Sequence, residues 1–209
     1  MSTAEALPPP HLWIRKLTVS RGQRMLFTDL DLAVGTGSCL FVRGPNGAGK
    51  SSLLLALAGI VRPDAGAIDY VAPDAEERER HIHFVGHLSA VKPRLTLREN
   101  LDFWVAIYGR PALAPAMALE RVGLGGLGAI EAGHLSAGQT RRLALARLLV
   151  AERPIWLLDE PTAALDAAGE ALVGELISDH CGSGGLAIVA THQDIALAPG
   201  LVPQTLVLQ

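Results

Sequence analysis

The chain has 209 residues, of which 49% are hydrophobic, so it can form one compact domain with a substantial core but leaves no room for a second catalytic domain. Its formal net charge of −3 gives no support for nucleic-acid binding, which favours a basic surface, and we expect no nucleic-acid partner. Apolar runs such as 186–190 are far shorter than the roughly 18 residues that span a bilayer, so they predict strands buried on both faces.

The first ten residues, which end in three consecutive prolines, contain no basic stretch followed by an apolar core. This pattern predicts a cytoplasmic protein. Cys39 and Cys181 are far apart and isolated, which does not fit a disulfide framework or a zinc knuckle. We therefore expect two free thiols in a reducing compartment.

The first elements along the chain are predicted to be strands. From Leu12 to Arg43, apolar and polar residues alternate between turns, as in an antiparallel β layer, and 39–42 is a buried strand. A glycine-rich loop follows, then a helix from Lys50 to about Ala58 and a turn at 63–66. The order strand, loop, helix places the loop at a helix N-terminus.

The middle of the chain changes character after a charged run, 76–80, which we interpret as a solvated loop. Residues 96–149 are predicted to be mainly helical: Thr96 and Glu99 form a capping-box pattern, followed by apolar residues at helical spacing, namely Leu97, Leu101, Trp104 and Val105. Short buried strands return at 155–158 and 186–190, with a helix between them from about Ala167 to His180.

The glycine-rich loop has the spacing G-x-x-x-x-G-K-[ST] of a phosphate-binding loop, for which the alternative is a simple turn before a helix. In such a loop the backbone N–H groups surround phosphates, Lys50 reaches the β and γ phosphates, and Ser51 can coordinate Mg²⁺. The predicted ATP-binding residues are Gly44, Pro45, Asn46, Gly47, Ala48, Gly49, Lys50, Ser51 and Ser52.

Two carboxylates follow the apolar run 155–158, at the end of a predicted strand where ligands of open α/β sheets gather. Asp159 is predicted to hold Mg²⁺ together with Ser51, and Glu160 to act as the general base on the attacking water. The structural alternative is a pair of solvated acids that begin a loop.

A third motif precedes an arginine-rich helix and consists of Leu135, Ser136, Ala137, Gly138 and Gln139. Ser136 and Gln139 also form a capping-box pattern, so the motif has a purely structural interpretation. The two interpretations are compatible, because a capped helix N-terminus that carries a glycine keeps backbone donors available to a phosphate.

Taken in order, these motifs resemble the ABC ATPase family along nearly the whole chain. GPNGAGKSS is similar to its Walker A motif, LSAGQ to its signature, PIWLLDEP to its Walker B motif, Asp166 to its D-loop aspartate and His192 to its switch histidine. The resemblance implies a P-loop NTPase fold, ATP and Mg²⁺ as ligands, and catalytic roles for Lys50, Glu160 and His192. It also implies a head-to-tail homodimer in which the signature acts in trans.

The expected fold class is α/β, a P-loop NTPase core with a mostly parallel sheet, a small N-terminal antiparallel β subdomain and an inserted helical subdomain. We expect one domain over 1–209, with the antiparallel layer at about 11–43 and the helical subdomain at about 87–149. The nucleotide-binding core takes the remainder, about 44–86 and 150–209.

The sequence departs from the family pattern at three places. Gly86 and His87 follow the predicted strand 84–85 where most members have a glutamine, Ala137 replaces the central glycine of the signature, and no Tyr or Phe stands near Arg21 to stack on adenine. His87 has two open interpretations, an equivalent of the Q-loop glutamine or an ordinary polar loop residue.

Within the family, several details resemble the ATPases of cytochrome c maturation: the Gly-His pair, the two arginines after LSAGQ, and Thr-His-Gln at 191–193. This implies a peripheral protein on the cytoplasmic face of the inner membrane, with CcmB-like and CcmC-like membrane-spanning partners. Hydrolysis would then drive haem export or release of the haem-loaded chaperone CcmE. His81 and His83 are expected on one strand face; metal or haem ligation is an alternative to ordinary strand histidines.

Three other functions remain open at this stage. An ATPase of another small exporter would keep every catalytic assignment and change only the cargo. A soluble nucleotide-dependent clamp would share the motifs, but the chain has no long heptads, no second cassette and no basic excess. A switch that binds ATP without turnover is disfavoured by the intact Glu160 and His192.

Overall fold

The computed structural model describes residues 11–70, 81–109 and 111–209. These residues form eight β-strands and five α-helices. The strands are β1 (Leu12–Arg21), β2 (Arg24–Val34), β3 (Cys39–Arg43), β4 (Ala65–Tyr70), β5 (Ile82–Val85), β6 (Ile155–Asp159), β7 (Leu186–Ala190) and β8 (Gln204–Val207). The helices are α1 (Lys50–Leu57), α2 (Leu97–Tyr108), α3 (Pro115–Arg121), α4 (Ala137–Val150) and α5 (Ala167–Gly182).

A five-stranded parallel sheet lies at the centre, with the strand order β5-β6-β7-β3-β8. Every residue of β6 and β7 is buried, which accounts for the continuous apolar runs 155–158 and 186–190. Two hydrophobic clusters cover the sheet: one includes side chains of α4 and α5, and the other includes side chains of α1 and β1. The predicted fold class is confirmed by this arrangement together with the smaller antiparallel sheet.

The smaller sheet has three antiparallel strands in the order β2-β1-β4. Its third strand, β4, comes after helix α1, whereas β3 belongs to the parallel sheet. The division near residue 43 drawn from the sequence therefore does not follow the strand pairing. The reason is that a strand joins whichever sheet its side chains pack into, and chain order does not record that choice.

The helical segment follows the predicted pattern. Thr96 is the N-cap of α2: its hydroxyl accepts a hydrogen bond from the Glu99 N–H, and the Glu99 carboxylate accepts one from the Thr96 N–H, so the capping box is confirmed. Leu97 and Leu101 are buried on the face of α2 that contacts the core. The helices predicted at 50–58 and 167–180 are observed at 50–57 and 167–182.

The histidines near β5 differ from the expectation. His81 precedes the first residue of β5, so His81 and His83 do not share a strand face. His83 is fully buried, its Nε2 lies 2.9 Å from the carbonyl oxygen of Ala151, and burial lowers its pKa to about 3. Within 11–70, 81–109 and 111–209, no cluster of three or more His, Cys, Asp or Glu residues could hold a metal ion.

The remaining expectations concern the cysteines, the charged run and membrane insertion. Cys39 and Cys181 are free and buried, and burial raises the pKa of both thiols. The charged run 76–80 lies outside the described residues. In the part of the chain that the structure describes, no helix combines the length and apolar character needed to traverse a bilayer.

Candidate functional site

A cavity of about 490 Å³ opens at the carboxyl edge of the parallel sheet. It is bordered by the hairpin between β1 and β2, the phosphate-loop segment and the residues that follow β5, β6 and β7. The lining residues are Arg21, Arg24, Leu26, Asn46, Gly47, Gly49, Lys50, Ser51, Ser52, His87, Asp159, Glu160, Ala163 and His192. The cavity therefore brings together most of the residues that the sequence pointed to.

The loop between β3 and α1 presents donors to this cavity. Gly49 is the N-cap of α1 in a left-handed conformation (φ 99°), and no side chain caps the helix there. Its first N–H groups and the positive end of the helix dipole are thus available to an anion. Lys50 is buried, and its Nζ donates to the carbonyl oxygens of Gly44 (2.7 Å) and Pro45 (3.1 Å), which holds the ammonium beside the loop.

Three residues of the loop support its conformation without facing the cavity. Gly44, Pro45 and Ala48 do not line the cavity, although the first two accept the hydrogen bonds of Lys50. A Cβ at Gly44, whose φ is 143°, would collide with the carbonyl oxygen of Leu208 next to β8. Glycine is therefore required there by packing against the sheet as well as by the backbone angle.

Asp159 ends β6 and is buried, with 5% of its surface exposed. Burial raises the pKa of its carboxyl group, and a hydrogen bond with the Ser51 side chain opposes that rise. The paired hydroxyl and carboxylate oxygens are the hard ligands that Mg²⁺ prefers. His87 lines the same cavity, and its electrostatic interaction with Asp159 also opposes the rise in the pKa of that carboxyl group.

Glu160 follows Asp159 in a strained backbone conformation. Its φ is 47°, a left-handed value that costs on the order of 1 to 3 kcal/mol for a residue with a side chain. Its N–H donates to the carbonyl oxygen of Ala190 (2.8 Å), and its Oε2 lies 3.0 Å from Nδ1 of His192. Two residues from different strand ends are thus in contact at the cavity wall.

The signature residues, 135–139, lie outside the cavity. Ser136 is the N-cap of α4, and its hydroxyl accepts a hydrogen bond from the Gln139 N–H while the Gln139 side chain accepts one from the Ser136 N–H. Leu135 packs against the core, and Ala137 is exposed. No residue of 135–139 lines the cavity, so a single chain does not bring the signature to its own phosphate loop.

The signature approaches the D-loop instead. A Cβ at Gly138 would lie 3.0 Å from the carbonyl oxygen of Ala164. Asp166 is the N-cap of α5, where its side chain accepts from the Gly169 N–H and forms an ion pair with Arg142 at 3.0 Å. The Gly169 hydrogen bond, followed by the Arg142 hydrogen bond, lowers the pKa of Asp166.

Sequence reasoning did not identify several residues of this region. Arg24 lines the cavity opposite Arg21, and Thr162 donates to the Gln193 side chain at 2.5 Å. Arg141 contacts the backbone at the ends of both β5 and β6. The only signal for Arg141 in the sequence is its position two residues after the signature.

The sequence profile of ABC transporters matches residues 27–163. The cytochrome c biogenesis ATP-binding export protein CcmA of Rhizobium johnstonii is 43% identical over 194 residues, which cover 90% of each chain. The protein of the same name from Rhodopseudomonas palustris is 47% identical and covers 90% of this chain and 95% of its own.

Solved structures show the same fold. An ABC transporter ATP-binding protein from Pyrococcus furiosus superposes with a TM-score of 0.82 at 24% identity and covers 95% of this chain and 97% of its own. The ATP-binding cassette MJ0796, a dimer in a post-hydrolysis state with ADP and Pi, has a TM-score of 0.72 at 25% identity, with coverage of 87% and 88%.

The fold and the cavity at its sheet edge define an ATP-binding cassette. The chain belongs to the ABC transporter family, and within it to the group of cytochrome c biogenesis ATP-binding export proteins. It is an ATPase.

The hairpin tip determines what a nucleotide base would meet. Arg21 and Arg24 pair across the tip, and among the described residues no Phe, Tyr or Trp lines the cavity. Trp13 is eight residues away from Arg21 on β1, about 26 Å along an extended strand. The Phe27 ring lies behind the loop, 3.3 Å from where a Cβ of Gly49 would be. The guanidinium planes of Arg21 and Arg24 are therefore the groups available to stack on a nucleotide base.

We expect loose base selectivity, because stacking of a base on an aromatic ring contributes about 1 to 3 kcal/mol and is missing here. GTP should be bound and hydrolysed within roughly tenfold of ATP. Arg21→Ala should weaken both nucleotides similarly, and the remote Trp13→Ala is the matched control. Titration with both nucleotides and steady-state hydrolysis measure this; a strong ATP preference that disappears in Phe27→Ala would contradict it.

Proposed function

We propose that this chain hydrolyses MgATP between two head-to-tail copies and thereby powers haem export or haem-chaperone release in cytochrome c biogenesis. The observation that carries the proposal is the convergence of Lys50, Asp159, Glu160 and His192 around one cavity next to an uncapped helix N-terminus. Candidate anion-binding donors, candidate Mg²⁺ ligands and a candidate base lie together there, which supports the proposal. This combination is what phosphoryl transfer to water requires.

The phosphates would bind at the N-terminus of α1, in contact with the backbone of 44–49 and with Nζ of Lys50. Lys50 would exchange its two carbonyl acceptors for phosphate oxygens, which are stronger partners because they are charged. Ser51 and Asp159 would hold Mg²⁺, whose role is to neutralise charge on the β and γ phosphates. The hydrogen bond between their side chains supports this proposal, because it keeps the hydroxyl and the carboxylate next to each other.

Glu160 would accept a proton from the water that attacks the γ-phosphorus, and the bond to the bridging oxygen would break to leave ADP and phosphate. His192, in contact with Oε2 of Glu160, would orient the carboxylate and the γ-phosphate end of the site. His87, which we propose as the equivalent of the Q-loop glutamine, would complete the wall near Asp159. Each of these groups lies on a different loop of the sheet edge.

The second copy would close the open side of the nucleotide site with its signature residues, 135–139. Residues 135–139 lie outside the chain's own cavity, and their capped helix N-terminus has donors for a phosphate of the opposite copy. Asp166 next to this region would face the same interface. The dimeric MJ0796 cassette, a relative in fold, supports such an arrangement.

The membrane partners are inferred from the relatives. Proteins named for cytochrome c biogenesis and export match this chain over nine-tenths of its length. We therefore propose CcmB-like and CcmC-like membrane-spanning subunits and a peripheral location on the cytoplasmic face of the inner membrane. An ATPase that serves another small exporter is the rival, and it would share every hydrolytic residue.

We expect Glu160→Gln to bind MgATP normally and to hydrolyse it roughly 10² to 10⁴ times more slowly, the range for loss of a general base. Single-turnover hydrolysis with saturating protein measures the step directly. Glu120→Gln on α3, outside the cavity, is the matched control and should keep the wild-type rate. A Glu160→Gln rate within a few-fold of wild type would remove Glu160 from the role of base.

We expect Lys50→Ala and Ser136→Arg to be inactive alone and to complement each other when mixed. In a mixed dimer, one composite site carries both lesions and the other carries none. In an equal mixture half of the dimers are mixed, and each mixed dimer has one intact site of two. Hydrolysis should therefore return to about a quarter of the wild-type level. If Ser136 acts on its own chain's nucleotide, no intact site forms and the mixture stays inactive.

We expect the wild-type chain to restore covalently bound haem in c-type cytochromes when it is expressed in a bacterium that lacks its own such ATP-binding protein. Lys50→Ala, expressed to the same level, should fail because a bound phosphate loses its direct cation. Haem staining of membrane proteins after denaturing electrophoresis is the measurement. Normal ATP hydrolysis without restoration would assign the chain to another exporter.

A further inference from the structure

Arg141 is a buried cation in α4, two residues after the signature segment 135–139, and 3% of its surface is exposed. Its guanidinium donates four hydrogen bonds, all to backbone carbonyl oxygens. The acceptors and distances are Pro161 (3.1 Å, from Nε), Gly86 (2.8 Å), Asp159 (2.7 Å) and Glu160 (2.7 Å). A single side chain thus joins α4 to two other backbone segments, 159–161 and Gly86.

This arrangement is specific to the arginine fork. A planar guanidinium has five N–H donors in fixed directions, so it can meet several carbonyl groups at once, whereas a lysine ammonium acts as a point charge. Burial lowers the pKa of Arg141, and the nearby charges of Asp159 and Glu160 oppose that effect. The cation therefore lies directly behind the acidic end of β6.

Three of the four carbonyls that Arg141 holds belong to consecutive residues, 159–161, with Glu160 in the middle. Glu160 has a left-handed backbone that only its surroundings can maintain. From one side its N–H is fixed by Ala190, and from the other Arg141 fixes the carbonyls of Glu160 and both neighbours. The fourth acceptor, Gly86, directly precedes His87 of the cavity wall.

We infer that Arg141 is a positioning residue for hydrolysis: its fork holds Glu160 in its reactive place and connects it rigidly to the helix that begins with the signature. Arg141 itself does not line the cavity, so it acts through Glu160 and not on the nucleotide. The inference rests on the proposed role of Glu160 as the general base.

The first test separates rate from binding. Arg141→Gln should lower kcat on the order of 10²-fold, because a displacement of about 1 Å at a reacting group has that effect, and leave KM and nucleotide affinity within about threefold. Arg141→Lys, which keeps the charge and loses the fork, should recover part of kcat. A wild-type kcat in Arg141→Gln, or an equal change in KM, would overturn the inference.

Arg147 provides the matched control. It is also a buried arginine of α4, donates to the carbonyl oxygen of Phe84 and lies 4.7 Å from the centre of the Trp104 ring, without contact to 159–161. Arg147→Gln should lower the thermal unfolding midpoint but keep kcat near wild type. An equal loss of kcat in both variants would mean that any buried arginine of α4 has this effect. If Arg141→Gln does not fold, Arg141→Lys provides the comparison.

The decisive experiment is a double-mutant cycle with Glu160→Gln, measured by single-turnover hydrolysis. If Arg141 acts through the carboxylate, Arg141→Gln should change the residual rate of Glu160→Gln less than about threefold. Additive losses would overturn the inference and leave the base intact. A Glu160→Gln variant that hydrolyses ATP normally would instead contradict the proposed function, so the two failures are distinguishable.

Discussion

The site depends on the register of the parallel sheet. Ala190 of β7 pairs with Val42 of β3 on one side and with Asp159 of β6 on the other. Because parallel strands all end at the same edge, this one row places the phosphate loop, the two carboxylates and His192 side by side. A shift of one residue in the pairing of β6 with β7 would turn the side chain of Asp159 to the opposite face of the sheet.

Much of this could be predicted from the sequence, because the signals are local. The loop at 44–51 has a fixed spacing, β6 and β7 are continuous apolar runs, and the capping boxes at Thr96 and Ser136 each depend on residues three positions apart. The positions of Lys50, Asp159 and Glu160 relative to the strand ends follow from the same patterns. These elements are where local preference and tertiary packing agree.

The rest could not be predicted because it depends on contacts between distant parts of the chain. The pairing of β4 with β1 joins residues about fifty positions apart, and nothing in 65–70 states which sheet it enters. Arg141 bonds to Gly86, 55 positions away, and its sequence context indicates only a charged residue early in a helix. The absence of aromatic residues near Arg21 was visible in the sequence, but Arg24 became its counterpart only through the hairpin register.

The described contacts also suggest why a strained residue and a buried cation occur together. Glu160 follows the last residue of a buried strand, and there its carbonyl and those of its neighbours lie where solvent cannot reach them fully. Unpaired buried carbonyl groups are costly, so the fold needs a donor at this point, and a side chain with several donors satisfies three residues at once. The same hydrogen bonds extend from α4, whose first turn carries the signature. In the proposed dimer, contact between the signature and the opposite nucleotide would therefore be transmitted through Arg141 to the backbone of Glu160, the proposed general base. The same guanidinium would then both satisfy the carbonyl groups at the strand end and couple the two copies.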